Sequence, residues 1–363
     1  MLMRTLEDIR REIDSIDDQM VQLISQRARC AAEVAEVKRA ENGGQLTQFY
    51  RPEREAQVLS RVMVNNPGPL PQEELARLFR EIMSACLALE HTLRVAFLGP
   101  QGTFTQAAAL KHFGHSVQTQ GLASIDEVFR EVAAGAADYG VVPVENSSEG
   151  VVNHTLDSFM SSSLRIIGEV ELRIHHNLLV ADVTRTAALS RIYSHQQSLA
   201  QCRQWLDAHY PNVERVAVSS NAEAARRIQG EWHSAAIAGD MAAELYGLSI
   251  LHARIEDEPD NTTRFLIIGR QEVAASGRDK TSILVLTHDR SGALYAILEP
   301  FSRQGISLTR VESRPSRMNL WSYVFFIDFE GHQHDAKVRA ALDEVRTRAV
   351  DVKILGSYPR AVL

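Results

Sequence analysis

Cysteine is scarce here: three residues in a chain of 363, at positions 30, 86 and 202. An odd, widely spaced set argues against a disulfide framework and fits a reducing compartment. No apolar run approaches the length of a membrane span. The stretch from Met1 to Arg11 is charged within a few residues and has no signal-peptide core, so a cytoplasmic location is expected. Excess positive charge is also missing. The formal net charge is −7, so nothing draws the whole molecule to nucleic acid or to an anionic membrane. There is no basic stripe and no DNA-reading helix pair. The pairs His112/His115, His175/His176 and His332/His334 lack Cys or carboxylate partners at ligand spacing, so no metal is expected. No phosphate-binding Gly-Lys-Ser/Thr loop and no dinucleotide fingerprint is found, and no cofactor is expected.

What is present suffices for several cores. Hydrophobic residues make up 45% and charged residues 23%, and the length suggests two or three domains. Residues 1–92 read as all-helical. Residues 94–271 alternate short apolar runs with helical patterns, as α/β domains do. Residues 279–363 alternate again on a smaller scale, after a linker expected at 274–280.

The first helix carries an apolar seam in steps of three and four: Leu6, Ile9, Ile13, Ile16, Met20, Leu23, then Cys30, Val34 and Val37. Its length, about residues 5–40 with Gly43-Gly44 beyond, suggests a partner helix, most simply from a second subunit. Arg27 interrupts the seam. An unpaired guanidinium there is costly. It either pairs with a carboxylate or awaits an anionic ligand. Lys38 lies about three turns on, roughly 16 Å away on the same face, so the two can close around a small dianion. Arg10 is about 100° off that face and joins them more easily from an antiparallel partner. A second helix, from near Pro52, places Glu55 beside Val58, Leu59 and Val62, with Arg54 adjacent. A third, from about Gln72 to Thr92, carries Cys86 and Glu90 along its apolar stripe. Cations and carboxylates thus point into one helical core.

This pattern resembles the all-helical chorismate mutase family, an intertwined dimer. The resemblance rests on Ile9-Arg10-Arg11-Glu12-Ile13, Gln26-Arg27, Ala35-Glu36-Val37-Lys38, Arg51-Pro52-Glu53-Arg54-Glu55-Ala56 and the spacing to Cys86 and Glu90. It implies that Arg27, Lys38 and Arg54 hold the substrate carboxylates and ether oxygen, with Arg10 from the partner chain and Glu55 on the substrate hydroxyl. Arg51, Cys86 and Glu90 depart from common family residues. Glu90 stands where Gln often donates to the ether oxygen, and a carboxylate donates only when protonated. Mutase activity is therefore expected to rise toward acid pH.

In the middle region four polar clusters sit at strand or helix ends: Gly99-Pro100-Gln101-Gly102-Thr103, Pro143-Val144-Glu145-Asn146-Ser147-Ser148, Ser194-His195-Gln196-Gln197-Ser198 with Gln201, and Asn261-Thr262-Thr263-Arg264-Phe265. Polar residues at the carboxyl ends of strands suggest a ligand cleft with few strong bases. Together the clusters resemble prephenate dehydratase. That resemblance implies two α/β lobes of the periplasmic-binding-protein type around a cleft. It makes Thr263 the main catalytic hydroxyl, has Glu145, Asn146, Ser194 and Gln201 line the site, and has Arg264 support it. His195 lies near the cleft, where it serves either as an acid or as a surface or structural histidine.

The last region reads as βαββαβ, a ferredoxin-like order, with strands at 282–287, 307–314, 321–329 and near 352–357. Ser291-Gly292-Ala293-Leu294 and Glu312-Ser313-Arg314-Pro315 resemble the amino-acid-binding motifs of ACT regulatory domains. This implies phenylalanine at a dimer interface near Gly292, Ala293, Leu294 and Ser313, although Ser307 replaces a frequent Asn. The expected small molecules are chorismate and prephenate as substrates and phenylalanine as inhibitor, in a homodimer or higher homo-oligomer. The competing reading, a non-enzymatic sensor that uses its helices only to dimerise, leaves the charges inside the helical core unexplained.

Overall fold

A computed structural model describes residues 4–41, 48–287, 290–315 and 323–362. Gly43-Gly44 and Trp321, expected at element ends, lie outside the described residues. Three helices come first: α1 (Leu6–Glu41), α2 (Pro52–Val64) and α3 (Gln72–Glu90). Pro52 sits in the first turn of α2, where a missing N–H costs nothing. Helix α1 packs on α3, and α3 on α2. The apolar seam of α1 stays largely uncovered in the single chain: Ile13 is 50% and Leu23 64% exposed.

Only three residues separate α3 from the next strand. The middle domain has two sheets. The first contains β1 (Arg94–Leu98), β2 (Gln118–Leu122), β3 (Tyr139–Asn146), β4 (Gly150–Val151) and β5 (Arg165–Arg173). The second contains β6 (Asn177–Val180), β7 (Arg191–His195), β8 (Glu214–Val218), β9 (Ser234–Ala238) and β10 (Ser249–His252), in the order β10-β6-β9-β7-β8. The chain then returns, and β11 (Thr262–Gly269) inserts between β3 and β5, giving β2-β1-β3-β11-β5. The two lobes are joined by the two crossings before β6 and after β10. Fully buried apolar strands such as Ser234–Ala238 place a core behind each sheet.

The C-terminal domain has β12 (Asp279–Leu286), β13 (Leu308–Pro315), β14 (Tyr323–Glu330) and β15 (Asp351–Pro359), with helices Ala293–Arg303 and Ala336–Arg348 on one face. The order β13-β14-β12-β15 is the ferredoxin-like one. Part of the expected linker is strand: Asp279 and Lys280 are buried in β12, because Asp279 accepts from the Ser276 and Gly277 amides and Lys280 reaches a buried acid in β5. Strand β15 lies against β5, where Gly356 leaves no room for a Cβ against the Ile166 carbonyl. No helix among the described residues is long and apolar enough to cross a membrane.

Candidate functional site

Two cavities gather some of the residues singled out in the sequence. The first, of about 500 Å³, lies among the three N-terminal helices and is lined by Arg27, Lys38, Arg54, Glu55, Cys86 and Glu90. Lys38 Nζ is 3.5 Å from Glu90 Oε2 and donates to the Phe49 carbonyl at 3.3 Å. Arg39 anchors the end of α3 by donating to the Glu90 backbone carbonyl at 2.9 Å. Glu55 Oε1 is 3.3 Å from Arg80 Nε, and burial holds the Glu55 carboxyl above the usual range, against the pull of Arg80. Arg80 in turn donates to the Lys111 carbonyl at 2.8 Å. Sequence reading missed Arg80. Its signal was present: Ala76, Arg80 and Ser84 form a buried row at i, i+4 spacing on α3. Arg10 lies on the exposed part of α1, outside this cavity.

The second cavity, of about 830 Å³, is the cleft between the two lobes. Asn146 and Thr263 enter it from the first lobe, and His176, His195, Gln201 and Asn221 from the second. A chain of hydrogen bonds has its polarity set at one end by the backbone. The amides of Ser148 and Glu149 both donate to Asn146 Oδ1, at 3.0 and 3.1 Å. Asn146 Nδ2 therefore faces Thr263 Oγ1 at 2.7 Å and Asn261 Oδ1 at 2.8 Å. Asn261 then donates to Gln201 Oε1 at 3.2 Å. That oxygen also lies 2.8 Å from His176 Nε2, which must donate to it. Burial pushes the His176 imidazole down, favouring its neutral form. The consequence for chemistry is local. Thr263 accepts from Asn146, so its own hydroxyl proton is free for a group in the cleft.

Three residues assigned to this site do not line it. Ser194 is fully buried behind the wall, its one hydroxyl proton shared between the Ile237 carbonyl (2.8 Å) and Asn221 Oδ1 (2.9 Å). It supports Asn221 and has no access to a substrate. Glu145 and Arg264 face away from the cleft. The reason is strand alternation: their neighbours Asn146 and Thr263 point inward, so they point outward. Arg264 Nε donates to Glu169 at 2.8 Å, Nη1 to Asp328 at 2.7 Å and Nη2 to the Tyr358 hydroxyl at 3.1 Å. Lys280 closes the group on Glu169 at 2.7 Å. Two buried cations thus face two buried acids, and removing one partner of such a set costs about 3–5 kcal/mol.

In the C-terminal domain Gly292 has φ 77°, a left-handed conformation that suits glycine, and it opens the helix Ala293–Arg303. Ala293 and Leu294 at that helix start are partly buried, and Ser313 is exposed on the edge strand β13. No group of three or more potential metal ligands occurs among the described residues.

Family models match three successive segments: chorismate mutase type II at residues 9–91, prephenate dehydratase at 95–273, and ACT domain at 281–347. A bifunctional chorismate mutase/prephenate dehydratase of Pseudomonas aeruginosa is 63% identical over 99% of this chain and 98% of its own length. Another, from Neisseria gonorrhoeae, is 51% identical over 98% and 97%. Among solved structures, prephenate dehydratase from Arthrobacter aurescens in complex with L-Phe is 37% identical, with a TM-score of 0.69 over 74% of this chain and 90% of its own.

Proposed function

This chain belongs to the family of bifunctional chorismate mutase/prephenate dehydratases, and from that premise we propose how its parts divide the work in phenylalanine biosynthesis. Residues 1–92 rearrange chorismate to prephenate. Residues 94–271 convert prephenate to phenylpyruvate. Residues 279–363 bind phenylalanine and inhibit the dehydratase.

The rearrangement breaks one C–O bond and forms one C–C bond without nucleophile or cofactor. It needs the reactive conformer held and the charge growing on the ether oxygen stabilised. Arg27, Lys38 and Arg54 hold the dianion, with Arg10 reaching in from a second copy. Lys38 and a protonated Glu90 donate to the ether oxygen, and Glu55 takes the substrate hydroxyl. The uncovered seam of α1 supports the second copy, since a homodimer buries it.

In the cleft, prephenate loses carbon dioxide as the ring becomes aromatic, and its hydroxyl departs, taking a proton to leave as water. Thr263 donates a hydrogen bond to that departing oxygen. Asn146 holds the threonine in the donating orientation, and Gln201 lies within reach of a substrate carboxylate. Closure of the lobes excludes water and strengthens these bonds. Phenylalanine binds near Gly292, Ala293, Leu294 and Ser313, and inhibition requires that it prefer the less active arrangement. The three free cysteines support a cytoplasmic setting.

The observation that carries the reading is that Arg27, Lys38, Arg54, Glu55 and Glu90 line one cavity of the chain while Asn146, Gln201 and Thr263 line another. Incubation with chorismate alone tests it: phenylpyruvate should form without added cofactor. Arg27→Ala should abolish chorismate loss yet leave prephenate consumption intact. Thr263→Ala should do the reverse, with prephenate accumulating and the dehydratase step slowed about 100-fold or more. Chorismate left intact by the parent chain, with prephenate still consumed, would mean a degenerate helical module.

A further inference from the structure

Four charges outside both cavities form two crossed pairs between domains. In the dehydratase sheet, β11 runs antiparallel to β3 with Thr263 opposite Asn146 and Arg264 opposite Glu145. The first pair faces the cleft. The second faces the C-terminal domain. There, β13 runs antiparallel to β14 with Arg310 opposite Asp328. The two outward pairs meet with opposite signs: Arg264 Nη1 donates to Asp328 Oδ2 at 2.7 Å, and Arg310 Nε lies 3.4 Å from Glu145 Oε2. Arg264 and Arg310 have side chains only 11% and 9% exposed. Arg310 keeps two nitrogens without a hydrogen-bond partner among the described residues. Among the described residues its charge is offset only by the carboxylates of Glu145, half-exposed at 3.4 Å, and Glu312 at 3.8 Å, a loose pairing that points to position, and not stability alone, as what the arrangement secures.

We propose that Asp328 and Arg310 of the C-terminal domain are positioning residues for the dehydratase, acting through Arg264 and Glu145 on Thr263 and Asn146. Each pulls on a residue adjacent in sequence to one member of the cleft pair. A pleated strand transmits that pull directly, because consecutive side chains share one rigid peptide unit. The 2.7 Å bond between Asn146 and Thr263, which orients the hydroxyl, spans the same two strands. A shift of β13 against β14 on phenylalanine binding then changes the alignment of that hydroxyl without touching the cleft.

The inference rests on the assignment of Thr263 and Asn146 to the dehydratase site, and the test separates the two. Full-length Asp328→Asn, Arg310→Gln and Thr263→Ala proteins are assayed for both activities, and for the phenylalanine concentration that half-inhibits the dehydratase. A cooperative thermal melt at the parent's Tm, beside mutase turnover in the same chain, reports that each variant is folded. The expected result for Asp328→Asn and Arg310→Gln is dehydratase kcat down at least fivefold at unchanged KM, with the half-inhibiting concentration shifted at least threefold. Asp328→Glu, which keeps the charge, should recover most of kcat. If Asp328→Asn does not fold, Arg310→Gln carries the test. Thr263→Ala without activity, beside Arg310→Gln with kcat, KM and half-inhibition all within twofold of the parent, overturns the inference alone. Thr263→Ala with full dehydratase activity overturns the site assignment beneath it.

Discussion

Glu90 shows how one residue sets a condition on the chemistry around it. Its Oε2 lies 3.5 Å from the Lys38 ammonium, inside the cavity that holds Arg27 and Arg54. As a carboxylate it can only accept, and a substrate ether oxygen needs a donor. The proposed role therefore requires a donor at position 90, which glutamine supplies permanently. Glu90→Gln should flatten the slope of the kcat/KM profile against pH by donating at every pH. A flat parent profile, or an unchanged slope in the variant, would remove Glu90 from the role. At this scale the sequence was a good guide where a residue broke a pattern: Arg27 within an apolar seam, Glu55 and Glu90 on apolar faces. It was a poor guide where a motif was read as a block. Thr263-Arg264 and Glu145-Asn146 each supply one residue to the cleft and one to the opposite face, as alternation along a strand requires. Ser194 was misplaced for the same reason.

At the scale of elements, α1 is the clearest case of a surface left unfinished. It spans 36 residues, about 54 Å. Ile9, Ile13, Ile16, Met20 and Leu23 along it are all at least 40% exposed. Each such side chain contributes about 1.5–3 kcal/mol when fully buried, so the second copy proposed above would gain much of its stability along this face. Ile13→Glu combined with Ile16→Glu should shift the protein to a smaller species in sedimentation velocity. It should also depress mutase turnover strongly, because Arg10 would no longer arrive from the second copy, while prephenate consumption falls much less. The seam and the βαββαβ order were legible because both are local periodicities. The return of β11 between β3 and β5 was not, since strand order depends on contacts remote in sequence.

At the scale of the molecule, the helical module and the dehydratase meet through a buried aromatic junction. The Tyr50 hydroxyl is 3.0 Å from His112 Nε2, and Tyr50 also packs on Phe113 and Tyr139. Burial, aided by the nearby Arg80 charge, pushes the His112 imidazole down to about 3. An unfolded His takes its proton near pH 6.5, so between those values the unfolded chain binds the extra proton. The stability that depends on a neutral His112 is thus whole above about pH 6.5 and is lost as pH falls toward 3, at about 1.4 kcal/mol per pH unit. Urea melts at pH 7 and pH 5 should differ by about 2 kcal/mol from this group, and His112→Gln should narrow the gap. Equal gaps in parent and variant would assign the acid lability elsewhere. Acid therefore loosens the junction that the helical module leans on. Neither this junction nor the contacts from β5 and β11 to the C-terminal sheet could be read from the sequence, because no local pattern marks which buried polar residue will meet which domain.

The place of β11 also bears on how the chain is made. It lies in the interior of the first sheet, between two strands synthesised long before it, and residues 174–261 intervene between β5 and its start. A nascent chain that has just completed the second lobe still carries two unpaired strand edges where β11 belongs, the kind of exposed edge that invites wrong partners. Thr263 arrives on that last strand. The first sheet therefore cannot close until β11 has been made, and the Thr263 hydroxyl reaches the cleft with the same strand, after the helices that bear Arg27 and Glu90 have been synthesised.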